Sequence, residues 1–191
     1  MAGLGFAFAA TAAAVSPPNA TPAPTRPLSA PAPGEGSIGA ISLTLYKNSE
    51  WNFALDIPAS WNAFPADSRN SPFEVIRFFS SENGTYGLIV FREPYDPAVS
   101  PELNVEKVQQ GLATNGFSNF VSGETTIGSR AVRTLDFDKK RPDGKTRSVR
   151  EYFIIDGTLS YVLGFGTTDR NAMFGVYDQM AKSFTFGQTS D

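Results

Sequence analysis

The chain has 191 residues, with no Cys and no His, and carries 16 Lys+Arg against 19 Asp+Glu for a net charge of −3. The two absences exclude disulfides, zinc–thiolate and iron–sulfur centres, imidazole-dependent triads and a lipid-modified cysteine within this sequence. The acidic balance gives no support to general nucleic-acid binding, which draws on a basic surface.

Residues 2–15, AGLGFAFAATAAAV, form an uncharged apolar run with a small-residue end. It is shorter than the roughly 20 residues that span a bilayer. It suits the hydrophobic core of an export signal, with Ala12-Ala13-Ala14 as the cleavage motif, or the end of a transit peptide. The basic segment that normally precedes such a core is missing, since the first Lys or Arg is Arg26. The bland alternative is an Ala-rich leader without a task. Residues 1–16 are therefore expected to be a leader. Residues 17–38 hold seven of the 14 prolines, all between Pro17 and Pro33, and are expected to be a disordered, extended linker. It serves either as a tether or as an idle N-terminus.

The folded domain is expected over 39–188. Ile41, Leu43 and Leu45 alternate with polar neighbours, as do Trp51, Phe53, Leu55 and Ile57. Both patterns predict strands, and Pro58 ends the second. Trp61 is expected in a short turn. Runs from Phe73 to Ser80 and from Tyr86 to Glu93 flank Glu82-Asn83-Gly84-Thr85, an Asn-Gly hairpin signal. Ser100 and Pro101 open a helix, Leu103, Val105, Val108 and Leu112 form its stripe, and Asn115-Gly116 stops it. Strands are expected near 120–127, 130–138, 146–155 and 159–165, joined by tight turns. A final helix, capped by Thr168 or Asp169, carries Met173, Val176, Tyr177, Met180 and Phe184 on one face. The fold class is α+β: a mostly antiparallel sheet covered by helices.

Chemistry-bearing motifs are sparse. Asp136 and Asp138 share a strand face and have the makings of an oxygen-ligand cation site, but they adjoin Lys139, Lys140 and Arg141, so a solvated charged turn is the expectation. Gly164-Phe165-Gly166 lacks the rest of a dinucleotide fingerprint. The sequence shows no P-loop, Ca²⁺-loop or G-x-G-x-x-G motif, and an enzyme is not expected. Eight of the 16 basic residues lie between Arg130 and Arg150, opposed there by Asp136, Asp138 and Asp143. Lys139, Lys140, Arg141 and Lys145 are the candidate partner-binding residues of a basic hairpin tip, facing an acidic protein surface or anionic headgroups. The alternative is an edge protected by charge.

The segment Trp51-Asn52-Phe53-Ala54-Leu55-Asp56-Ile57-Pro58 with Trp61 resembles the opening of the PsbP-like superfamily, which includes DcrB-like envelope domains and a Ran-binding nuclear-import factor. Arg150-Glu151-Tyr152-Phe153 running through Asp156-Gly157 to Tyr161, and Ser183-Phe184 after the last helix, are similar to later marks of that family. The likeness spans about residues 42–186. It implies a PsbP-like αβα sandwich with no shared active site. It also implies an accessory or assembly role at a membrane protein complex, photosystem II in the thylakoid lumen if the host is photosynthetic. The alternative is a bacterial envelope or secreted domain that binds a small molecule or lipid. Calcium, weakly held, enters by the resemblance alone, and the family's ion-related His residues have no counterpart here. The partner is then a protein complex at a membrane surface, the domain a monomer, and the compartment extracytoplasmic.

Overall fold

The structure, a computed structural model, describes residues 25–27, 41–80 and 86–187. The leader and the Asn83-Gly84 hairpin turn lie outside these residues. Every strand pairing is antiparallel. The strands are β1 (Thr25–Pro27), β2 (Ser42–Asn48), β3 (Phe53–Pro58), β4 (Trp61–Pro65), β5 (Glu74–Ser80), β6 (Gly87–Pro94), β7 (Phe117–Ile127), β8 (Arg130–Lys140), β9 (Thr146–Asp156), β10 (Leu159–Thr167) and β11 (Thr185–Phe186). Helices α1 (Pro101–Thr114) and α2 (Arg170–Lys182) complete the domain. The strands fall into two sheets, ordered β1-β2-β3-β11 and β4-β5-β6-β10-β9-β8-β7. Thr25–Pro27, within the stretch expected as linker, runs beside β2.

The expected fold class holds, with a small second sheet added. Trp61 opens a strand rather than a turn: β4 pairs with β5 from Trp61↔Ser80 to Pro65↔Ile76. Its flanking prolines fit an edge position, where no ladder donor is needed. Only Ala59 and Ser60 separate β3 from β4, so the chain changes sheets there.

Alternation along each strand supplies two cores. On one face of the large sheet Phe78, Leu88, Val90, Tyr152, Ile154 and Phe165 meet α2 and the small sheet. On the other, Phe91, Phe137, Val149 and Phe153 meet α1 through Val105 and Leu112. Helix α1 begins as its sequence dictates: Ser100 Oγ accepts from Leu103 N–H at 3.2 Å, and Gly116 (φ +79°) ends it in the left-handed region. Leu103, expected on the buried stripe, is 44% exposed. Asp169 caps α2 by accepting from Ala172 N–H, and Met173, Tyr177 and Met180 are buried as expected. Phe184 is buried too but stands beyond the helix end. There Asp56 N–H donates to Ser183 Oγ at 2.7 Å, across 127 residues of sequence.

Candidate functional site

The basic hairpin forms at the β8–β9 turn, but most of its charge is satisfied within the fold. Lys139 Nζ donates to Asn115 O at 2.7 Å and sits 4.2 Å above the Phe117 ring. Arg141 pairs with Asp143 at 3.4 Å. Arg130 pairs with Asp156, and Arg133 with Glu102 and Glu124. Lys140 and Lys145 are exposed and form no ion pair among the described residues. Two ammonium groups therefore remain of the expected four-residue patch.

Asp136 corrects the reading of a solvated turn. It is 5% exposed and accepts from Arg150 Nε and Nη2 at 2.7 and 2.8 Å and from Arg170 Nη2 at 2.8 Å. Arg150 Nη1 also donates to Asp178 at 2.8 Å, and Tyr152 OH donates to the same carboxylate. Both guanidinium groups lie over Phe174, at 4.4 and 4.7 Å. The hydrogen bond to Asp136 raises the Arg150 pKa further, and burial raises that of Tyr152. Asp138 accepts from Ser148 Oγ and Asn119 Nδ2. With two guanidinium groups on Asp136, the aspartate pair does not fit a cation. Among the described residues no group of three or more Asp or Glu gathers at metal-binding range.

On the α1 face of the same sheet two acids have no ion pair among the described residues. Glu151 is 2% exposed, and among the described residues its Oε2 has no hydrogen-bond partner, nor has the buried Ser160 Oγ. Burial pushes the Glu151 carboxyl up to about 8, with the Glu93 charge adding to the rise. Burial likewise lifts Glu93, which faces Ser160 across β6–β10, to about 7.

A cleft lies at the opposite end of β9 from the basic tip, roughly 30 Å away at about 3.3 Å per residue. It encloses about 310 Å³ among Glu50, Trp51, Asn52, Arg92, Asp156, Leu159, Tyr161, Phe186 and Gly187. Five segments converge there: the β2–β3 turn, β6, the end of β9, β10 and β11 with the residue after it. Asn52 holds the turn in the left-handed region (φ 49°), which Asn tolerates better than most residues. Gly187 N–H donates to Asn52 O at 3.2 Å, and Tyr161 OH to Trp51 O at 3.1 Å. Tyr161 stacks on Phe186 with centroids 5.3 Å apart, and Arg130 lies 4.7 Å over Phe186 while paired to Asp156. The Arg92 guanidinium lies 5.2 Å from the Trp51 ring and 6.0 Å from that of Tyr161. Its Nε is buried without an acceptor among the described residues. In the sequence Trp51 and Tyr161 stand only as fold marks, and nothing there singles out Arg92. Its place on β6 in alternation with Leu88 and Val90 is a weak signal that only the three-dimensional convergence makes informative.

Two antiparallel sheets, with α1 on one face of the larger and α2 on the other, constitute a PsbP-like fold. Solved structures share it: cyanobacterial PsbP (CyanoP) from Synechocystis sp. PCC 6803 superposes at TM-score 0.57 and 12% identity, covering 81% of this chain and 98% of that one. LpqN of Mycobacterium tuberculosis, described as involved in cell envelope biogenesis, gives 0.51 and 16%, over 76% and 90%. The Ran-binding protein Mog1p of Saccharomyces cerevisiae gives 0.54 and 12%, over 76% and 96%. No protein-family model and no curated protein matches the sequence. Among the described residues no helix is long and apolar enough to cross a membrane.

Proposed function

We propose that this chain is a non-enzymatic, exported accessory domain that binds a protein partner in a membrane-associated complex. The cleft carries the reading. Trp, Tyr and Arg are the residue types that dominate binding hot spots, and here they converge with Phe186 in one concave site. The fold supports an extracytoplasmic setting, since it is shared with cyanobacterial PsbP and with an envelope-biogenesis protein. In a photosynthetic host the setting is the thylakoid lumen and the complex photosystem II; otherwise it is the periplasm or the exterior.

The test is affinity capture of the tagged full chain from solubilised membranes of its host. A membrane complex is expected to co-purify, and Trp51→Ala combined with Phe186→Ala is expected to cut its recovery at least tenfold while the thermal transition stays cooperative. Changing Lys139, Lys140, Arg141 and Lys145 together to Gln is expected to slow capture only at low salt. Recovery of the chain without any membrane complex would sink the reading.

A further inference from the structure

On the reading that the cleft is the partner-binding site, we infer that Arg92 receives a carboxylate from a partner side chain flanked by an aromatic residue. Three observations define that occupant.

The first is charge. Three arginines near the cleft or on the α2 face each have a carboxylate: Arg130 has Asp156, Arg150 has Asp136 and Asp178, and Arg170 has Asp136. Arg92 has none among the described residues, and its contacts are two aromatic rings. A guanidinium held between rings keeps its fork orientation, so a carboxylate can bind it through two parallel N–H groups with little ordering cost. With Nε buried, the two terminal nitrogens are left for that contact.

The second is the wall. Trp51, Tyr161 and Phe186 supply flat apolar surface beside the cation, and Tyr161 and Phe186 are already stacked. An aromatic group next to the incoming acid extends that stack.

The third is the rim. Glu50, Asn52 and Gly187 are exposed, so the cleft opens outward and an occupant continues into solvent, as a side chain on a larger body does. Glu50 and Asp156 also border the site. They repel a run of acids and favour a single carboxylate among aromatic or basic neighbours.

The probes are the capped peptides Ac-Gly-Phe-Glu-Phe-Gly-NH₂ and its Gln counterpart, titrated against the ¹⁵N-labelled full chain, with the Trp51 indole N–H as reporter. The Glu peptide is expected to bind at least tenfold more tightly than the Gln peptide. Arg92→Gln is expected to remove that difference, and Arg92→Lys to restore part of it. Equal affinity of the two peptides, no shift at millimolar peptide, or an undiminished preference in Arg92→Gln would overturn the inference. Free 2-naphthoate binding more tightly than the Glu peptide would also overturn it, by assigning the cleft to a small acid. Peptide discrimination lost while the membrane complex is still captured condemns this inference alone; discrimination kept while capture fails condemns the partner reading instead.

Discussion

The two faces of the seven-stranded sheet bury acidic side chains in opposite ways. Towards α2, Asp136 sits between Arg150 and Arg170, and Asp178 closes the circuit to Tyr152. Towards α1, Glu151 is as deeply buried without an ion pair among the described residues, and burial pushes its carboxyl up to about 8 and that of Glu93 to about 7. The same strand, β9, contributes to both, since Arg150 and Glu151 are consecutive. Burial of an acid is thus resolved by pairing on one side and by proton uptake on the other. The second solution makes stability depend on pH near neutrality.

The largest expected effect breaks the paired side. Asp136→Ala leaves two guanidinium groups facing each other over Phe174, and should cost about 3–5 kcal/mol in urea unfolding. A loss below 1 kcal/mol would show the network to be replaceable by water.

The second prediction concerns the protonated side. The Glu151 carboxyl has a folded-state pKa of about 8 against an ordinary 4.5. Between these values the unfolded chain has released a proton that the native chain retains, so stability is greatest below about pH 4.5 for this group and falls until about pH 8. Glu151→Gln should flatten that slope, leaving stability at pH 5 little changed and raising it at pH 8 relative to the parent by about 2 kcal/mol or more. Parallel pH profiles for parent and variant would remove the contrast between the faces.

The smallest effect sharpens the paired side. Asp178 is 42% exposed, so water screens its bond to Arg150, and Asp178→Asn should cost only about 0.5–1 kcal/mol. A cost equal to that of Asp136→Ala would mean that the network acts as one unit, which a double-mutant cycle can measure.

The helices and the long hairpins were legible because their signals are local: Ser100-Pro101, Asn115-Gly116, Asp156-Gly157 and the stripe from Met173 to Met180 each act within a few residues. Strand β4 was not, since Pro65 and polar Asn62 hide an edge strand whose only evidence is its partner β5. The second sheet was illegible for the same reason: β11 is two residues long and is specified by β3. The bulge between Glu74 and Ile76 places Val75 in the same core as Ile76, against simple alternation. At the site level, charge density along the sequence pointed to the basic tip, where the residues are neighbours in the chain. The cleft draws on residues from 50 to 187, and no spacing rule joins Trp51 to Arg92 or Phe186.

The bond from Asp56 to Ser183 and the pairing of β11 with β3 set an order on biogenesis. A chain emerging from the ribosome presents β2 and β3 early, but the outer edge of β3 stays open until residues 183–187 have been made. Contacts of such long sequence separation form late and slowly. Until then the nascent chain carries an uncapped, apolar strand edge that a chaperone can hold, and residues 183–187 are the ones that release it.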